Sequence, residues 1–221
     1  FGRKINCNIT KNGDLIHKMY LIVELPEIDC ELSEQNKFRW VNWLGHVLIK
    51  NISIEIGSQK IDEHYGEWLH IWNELSQKEG KKSGYATLVG NTPRLTQVIQ
   101  GNNNNTSKIP STKLYIPLQF WFCKNPGLAL PLIALQYNEV KIVVELNDHN
   151  SCCWATGKYK NEPPTLVNAS LFIDYIYLDT EERRTFAQQK HEYLIEQLQF
   201  NGQEILNTQT NKVKLNFNHP V

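Results

Sequence analysis

Histidines with acidic residues can hold a metal ion, and seven histidines are spread through this sequence: His17, His46, His64, His70, His149, His191 and His219. A metalloenzyme with a small β-barrel fold would need two clustered histidines, a nearby carboxylate and a distant third ligand. No His-x-His pair occurs. His64, Glu67 and His70 are spaced i, i+3 and i+6 on a predicted helix, but positions i and i+6 lie about 60° from a whole number of turns. We therefore predict no metal site and no cofactor.

Cysteine can supply a nucleophile, a metal ligand or a disulfide, and the five cysteines are Cys7, Cys30, Cys123, Cys152 and Cys153. Their odd number and the lack of paired Cys-x-x-Cys motifs favour reduced thiols, as in a protein assembled in the cytosol. His149 precedes Cys152 by three residues, but both fall in a predicted exposed loop without an orienting partner. There is also no Gly-x-Ser-x-Gly elbow and no phosphate-binding loop. We predict no catalytic residue and no enzymatic activity.

An exposed tryptophan can pack against a sugar ring, and the six tryptophans are Trp40, Trp43, Trp68, Trp72, Trp121 and Trp154. Trp68 and Trp72 lie on the apolar stripe of a predicted helix, and Trp121 lies in a predicted buried strand. Trp154 is the one that we expect to be exposed, as a contact residue in a loop. Carbohydrate binding by an attachment module is therefore the alternative function to be weighed below.

Asn-x-Ser/Thr motifs that could accept a glycan include those at Asn8, Asn51, Asn105 and Asn168. Three of them fall in or beside predicted strands, where attachment would be obstructed. Asn105 lies in a long polar segment and is the candidate glycosylation site. We nevertheless favour an unmodified protein, because a chain made in the cytosol would not meet the usual enzyme.

The charge balance argues against a nucleic-acid partner. Lys and Arg total 23, as do Asp and Glu, so the formal net charge is zero and there is no basic excess to hold phosphates directly. No apolar run approaches the roughly 20 residues of a membrane helix, so we predict no transmembrane segment. The opening residues lack both the apolar centre of a signal peptide and an initiator Met. We expect the chain to begin after residues that were processed or not included.

Alternation of apolar and polar residues at period two dominates the sequence and predicts strands. The residues at 140, 142, 144 and 146 are apolar, for example, and alternate with Glu139, Lys141 and Glu145. This pattern predicts strands at residues 16–25, 38–50, 52–56, 114–123, 140–146, 171–178, 191–200 and 213–217, with a further leading strand at 3–9. Such a pattern indicates an all-β fold, an eight-stranded antiparallel sandwich of the jelly-roll type with short helical insertions.

Two segments break this pattern and predict helices. In 65–76, Tyr65, Trp68, Leu69, Trp72 and Leu75 form the stripe of an amphipathic helix. In 180–189, Thr180 is a candidate N-terminal cap, followed by two glutamates in the first turn. Long connections are expected at 77–113 and 147–166, and loops of this length are usually functional or mobile.

Five blocks of the sequence resemble, in order, the major capsid proteins of nucleocytoplasmic large DNA viruses. They are GRKINCNITKNGDLIHKMYLIVELP, VNWLGHVLIKNISIEIGSQKIDEHYGEWLHIWNELS, LYIPLQFWFCKNPGLALPLIALQYNEVKIVVEL, DTEERRTFAQQKHEYLIEQLQ and LNFNHPV. Together they cover most of the chain. The chain departs from the family at its end, because a full capsid protein of this kind carries a second jelly roll and is about twice as long.

The resemblance implies that residues 1–221 are the N-terminal jelly roll of a double jelly-roll subunit. Such a subunit forms a homotrimer, the pseudo-hexagonal capsomer of an icosahedral shell. It further implies contacts with neighbouring capsomers and minor capsid proteins, a place in the virion capsid and assembly in the host cytoplasm. The resemblance implies that the family's strands B to I correspond to residues 16–25, 38–50, 52–64, 114–123, 137–147, 168–179, 190–200 and 211–217. The two long connections would rise on the outer face of the capsomer.

Overall fold

The structure is a computed structural model that describes residues 1–101, 107–202, 205 and 212–218. The strands in this part of the chain are β1 (Lys4–Asn8), β2 (Leu15–Leu25), β3 (Ile28–Asp29), β4 (Ser33–Trp40), β5 (Ile49–Ile56), β6 (Gln59–Tyr65), β7 (Ile99–Gly101), β8 (Lys108–Ile109), β9 (Thr112–Pro117), β10 (Leu130–Pro131), β11 (Val140–Leu146), β12 (Cys153–Thr156) and β13 (Asn168–Ile176). The α-helices are α1 (Leu44–Leu48), α2 (Gly66–Ser76), α3 (Lys82–Leu88), α4 (Pro93–Thr96), α5 (Trp121–Lys124), α6 (His149–Cys152) and α7 (Thr180–Gln188). Among these residues, no helix is both long and apolar enough to cross a membrane.

The first sheet has the strand order β1-β11-β5-β6 and is antiparallel throughout. Its centre is the pairing of β11 with β5, which places Ile142 opposite Ile54 and Val144 opposite Ile52. All four of these side chains are buried, so the period-two pattern of the sequence faces the core. Between β5 and β6 the chain turns at Gly57 and Ser58, both of which have positive φ, as a tight hairpin requires.

The second sheet is built around β2. Strand β13 pairs with one side of β2, while β9 and then β10 pair with the other. The core-facing residues of β2 include Met19, Leu21 and Val23, which are almost fully buried. A smaller sheet of order β12-β4-β7 and the β3-β8 pair complete the structure.

One continuous hydrophobic core lies between these layers. Its largest fully buried side chains include Phe38, Trp40, Phe120 and Phe122. Phe38 meets Trp40 edge-to-face with ring centroids 5.1 Å apart, and Phe120 stacks on Phe122 at 5.8 Å. The all-β antiparallel prediction is confirmed, but several segments that were predicted as single strands are divided.

Three predicted strands are interrupted. The segment 38–50 leaves the sheet after Trp40, turns at Trp43 (φ 54°) and forms α1 before β5 starts. Its apolar residues at 40, 43 and 47 have helical rather than alternating spacing. The segment 52–64 is a hairpin, because Gly57 divides it. The segment 114–123 ends as a strand at Pro117, which has no N–H to donate, so Trp121 is buried in α5 instead.

The predicted strand at 190–200 is not formed. For the prediction at 211–217, Asn211 lies outside the described residues, and the described residues 212–217 form no strand. Side-chain hydrogen bonds, instead of backbone pairing with a neighbouring strand, bind the segment 190–200 to the sandwich. Asp62 accepts a hydrogen bond from the N–H of Leu198 at 3.1 Å, and the Gln197 amide donates to the carbonyl of Ile61. Half-buried and exposed residues still alternate from 191 to 196, so the sequence pattern persists without the strand.

Both predicted helices are confirmed, with corrections of detail. The side chain of Asp179, rather than Thr180, caps α7 by accepting from the N–H of Glu182 at 2.8 Å. Helix α2 buries Gly66, Leu69 and Asn73, so its buried face is rotated from the predicted stripe and Leu75 is exposed. The leading strand is confirmed as β1. The two long connections contain short helices and strands instead of being irregular loops.

Candidate functional site

The three residues at helical spacing that were weighed as metal ligands are not brought together. His64 lies on β6 rather than on the helix, and its Nε2 is 3.0 Å from the Oδ2 of buried Asp62. Its ring stacks on Phe120 at 4.9 Å, inside the core. Glu67 is exposed on α2. Among the described residues, no group of three His, Cys, Asp or Glu side chains could hold a metal ion.

Cys152 was expected in an exposed loop, and this expectation is wrong. It lies in α6 and is fully buried, which raises the pKa of its thiol to about 12. A reactive cysteine needs the opposite, a lowered pKa and access to solvent. The neighbouring thiol of Cys153 donates to the backbone carbonyl of His149 at 3.3 Å. All five cysteines are free thiols.

Trp154 lies on β12 with 43% of its surface exposed. It is therefore accessible, although it sits on a strand rather than in a loop. The candidate glycosylation site Asn105 lies outside the described residues. Asn8 ends β1, Asn51 lies in β5 and Asn168 begins β13, so these three motifs fall in strands as predicted.

A cluster of aromatic rings that the sequence analysis did not find surrounds His46 on α1. The rings of Trp43 and His46 are parallel with centroids 5.6 Å apart, and the His70 ring lies 5.2 Å from Trp43 and 5.6 Å from His46. Nε2 of His46 and the hydroxyl of Tyr85 are hydrogen-bonded at 2.8 Å. The cluster forms one wall of an open cavity of about 620 Å³.

His46 is held neutral in this cluster. Burial lowers its pKa to about 4, with a further contribution from the charge of His70. Burial also raises the pKa of Tyr85 to about 12, so its hydroxyl stays protonated. Trp43 and His46 are neighbours at α1, whereas His70 on α2 and Tyr85 on α3 are distant in sequence and meet them only through tertiary contacts.

A second feature is the outer face of the sheet formed by β9, β2 and β13, opposite the core. One cross-strand row places Tyr20 between Phe172 and Pro117, and the next places Ile22 between Ser170 and Tyr115. Phe172 is 59% exposed and Tyr115 is 39% exposed. We call this surface the aromatic face; it consists of Tyr20, Ile22, Tyr115, Pro117 and Phe172.

Charged residues flank the aromatic face at both ends. Glu24 and Lys113 lie at one end with their charged atoms 3.8 Å apart. Lys18 on β2 and Asp174 on β13, both exposed, lie at the other end. An apolar centre with a polar rim is the usual anatomy of a protein–protein interface.

Comparison with protein families decides what kind of chain this is. Residues 1–179 match the family model described as the major capsid protein N-terminus. The chain belongs to this family. The resemblance to the capsid proteins of large DNA viruses is thereby confirmed.

Named relatives agree with this assignment along the whole chain. The chain is 50% identical over its full length to a major capsid protein of Pyramimonas orientalis virus, covering 51% of that protein. It is 47% identical to a major capsid protein of Phaeocystis pouchetii virus, again over its full length and covering 47% of that protein. The chain therefore spans about half the length of the curated relatives that it matches.

Solved structures of this family share the fold. The quasi-atomic model of the PBCV-1 virus capsid matches 90% of this chain and 44% of that chain, with 32% identity and a TM-score of 0.67. The Faustovirus major capsid protein matches 84% of this chain and 53% of that chain, with a TM-score of 0.70; at 13% identity it supports the fold alone. With these jelly-roll neighbours, the predicted fold class is confirmed.

Proposed function

We propose that this chain is part of a structural major capsid protein, a non-enzymatic subunit of an icosahedral DNA virus shell. The observation that carries the proposal is the match of the entire chain, at up to 50% identity, to relatives named as major capsid proteins. On this proposal the protein resides in the virion capsid and is assembled in the host cytoplasm. Residues 1–221 are its N-terminal jelly roll, and a second jelly roll belongs to the same subunit.

The proposed working unit is a homotrimer, the capsomer. Its neighbours are other capsomers and minor capsid proteins, with no direct contact to nucleic acid; the zero formal net charge supports this last point. A shell protein acts through its interfaces rather than through a reaction centre. The deeply buried thiol of Cys152 and the neutral, buried imidazole of His46 are consistent with such a role.

We propose the aromatic face as a contact between copies of the subunit. Tyrosine and phenylalanine are enriched where interfaces are best packed, and the face presents Tyr20, Tyr115 and Phe172 together. The charges at its ends, Glu24 with Lys113 and Lys18 with Asp174, are of both signs, so a second copy can meet each of them with an opposite charge.

The mass of the protein in solution and its presence in particles test this proposal. We expect the full-length protein to form a species of three times its monomer mass in solution. Phe172→Asp should shift the protein to monomer, since it buries a charge in the contact. Tyr137→Asp is the matched control, because Tyr137 is 98% exposed and lies outside the aromatic face. A full-length protein that stays monomeric and is missing from purified particles would exclude the capsid function.

The alternative function, carbohydrate binding by an attachment module, is favoured by one observation, the exposed indole of Trp154. A glycan array that compares the protein with Trp154→Ala tests it. Binding that disappears in the variant supports the alternative, whereas an array without hits, or hits that Trp154→Ala leaves unchanged, removes it.

A further inference from the structure

The ring cluster around His46 involves the helices α1, α2 and α3. A single side-chain hydrogen bond joins the cluster to α3. Trp43 and His70 cover the imidazole from the α1 and α2 sides, and Tyr85 on α3 binds its Nε2. No other side chain of α3 forms a hydrogen bond to α1 or α2 among the described residues. Within the described part of the chain, the hydrogen bond between His46 and Tyr85 is therefore the side-chain hydrogen bond that holds α3 to α1.

Residues 79–88, which comprise a short 3₁₀ turn and α3, are otherwise held loosely. None of their side chains is fully buried, and only Tyr85 and Ala86 are half-buried. The segment is anchored just beyond its end, where Val89 is fully buried and its carbonyl accepts from the N–H of Gly45 at 2.8 Å. Gly90 follows with φ +80°, a conformation that glycine adopts freely. Few buried contacts beside a fixed anchor describe a segment that opens locally at low cost.

Protonation of His46 is unfavourable while its ring is buried against Tyr85. Nδ1 of His46 is buried and has no hydrogen-bond partner within the described part of the chain, and the same is true of Nδ1 of His70. A second proton on His46 would leave a buried charged N–H without an acceptor, beside another histidine. Burial of such an unpaired charged group is strongly unfavourable.

The charged groups around His46 do not compensate such a proton. Lys50 lines the same cavity, but it is bound to Glu145 at 2.5 Å. Glu67 also lines this cavity, but it is exposed at the start of α2 and makes no ion pair with His46 within the described part of the chain. Tyr85 and His70 complete the set of titratable groups that contact His46, and neither carries a negative charge at neutral pH.

We propose that residues 79–88 form an acid-sensitive flap. At neutral pH the flap is closed on the cluster of Trp43, His46 and His70 by the hydrogen bond between His46 and Tyr85. Below about pH 6.5 opening of the flap is coupled to proton uptake by His46, because water then solvates the charged ring. The sandwich and the anchor at Val89 stay in place, so the change is confined to this segment. This acid-dependent opening of residues 79–88 does not depend on the proposed capsid function.

Amide hydrogen exchange of the full chain tests this coupling, after correction for the intrinsic effect of pH on exchange. Three amides report on the flap: those of Val89, Gly90 and Asn91 donate to carbonyls of Tyr85, Thr87 and Ala86. Their protection should fall by up to tenfold for each pH unit between 6.5 and 4.5, the limit for uptake of one proton. Protection of β2 and β13 serves as the internal reference. Protection of the flap that is constant over this range would overturn the proposal.

Variants separate the role of His46 from that of the other histidines. His46→Gln keeps a polar side chain without a titrating group, so the pH dependence of flap protection should disappear. His191→Gln is the control, since this half-buried histidine lies elsewhere and contacts Phe186; it should leave the dependence intact. If His46→Gln does not fold, an NMR titration of the native protein decides instead. A His46 ring that titrates near pH 6.5, or a pH dependence that survives in His46→Gln, contradicts the proposal.

Discussion

The carboxylate of Asp62 and the backbone N–H of Leu198 are hydrogen-bonded at 3.1 Å, although 136 positions separate them in the sequence. Asp62 is buried on β6, and the same oxygen also accepts from the N–H of Glu63 at 2.9 Å. One side chain thus binds both its own strand and the segment 190–200. Asp62 is thus one of the side chains that attach this segment to the sandwich, together with the amide of Gln197.

We expect Asp62→Ala to release the segment 190–200 and to lower the free energy of unfolding by about 1–3 kcal/mol, the usual cost of leaving buried polar groups unpaired. Limited proteolysis should cut between residues 190 and 200 faster than in the native protein, and urea unfolding should report the loss of stability. Glu63→Ala is the control: its carboxylate makes a surface pair with Lys60, which contributes little. Equal cleavage of both variants would show that Asp62 does not hold the segment.

The ring of Phe38 is fully buried against Trp40 and Tyr159. Phe38→Ala should therefore lower the free energy of unfolding by about 3–5 kcal/mol, because burial is lost and a cavity remains. Tyr137→Ala removes an aromatic side chain that is 98% exposed and should cost less than about 1 kcal/mol. Chemical denaturation of the two variants checks the difference, and similar losses would place Phe38 outside the core.

Gly66 begins α2 so close to α1 that a methyl group on it would collide with the carbonyl oxygens of His46 and Ile49. Backbone atoms cannot yield as a flexible side chain does, so Gly66→Ala should destabilise the protein by about 1–3 kcal/mol. Gly84→Ala on α3 has open space around it and should stabilise the helix by about 0.5–1 kcal/mol. Thermal melts of both variants test the opposite signs.

The stability of the whole fold should decrease in mild acid through His46. Its pKa is about 4 in the folded state and near 6.5 when exposed. Above pH 6.5 the ring is neutral in both states and stability is greatest. As pH falls from 6.5 to 4, unfolding takes up a proton and stability declines by up to about 1.4 kcal/mol per pH unit. Urea unfolding at pH 7, 6 and 5 should show a smaller decline in His46→Gln than in the native protein; an equal decline would assign the effect to other groups.

The sequence by itself determined the fold class, the family and the central elements. Alternation of apolar residues located β2, β11 and β13, and the helical stripe located α2, because these patterns arise from the local geometry of strands and helices. The prediction from local pattern was wrong where the apolar residues fit both the strand period of two and the helical period of 3.6. The segment from Trp40 to Ile49 is the example: a turn at Trp43 and the helix α1 replaced the predicted continuous strand.

Only the tertiary structure decided which distant residues meet. The segment 190–200 has the alternation of a strand, yet it is held by Asp62 instead of a backbone ladder, because pairing depends on a neighbouring strand that local sequence does not specify. The contact between His46 and Tyr85 likewise arises from the packing of α1 against α3. The aromatic face follows from the registers that place Tyr20 beside Phe172. Contacts across sheets and between helices are set by packing of the whole chain, and they create both the proposed interface and the proposed acid-sensitive flap.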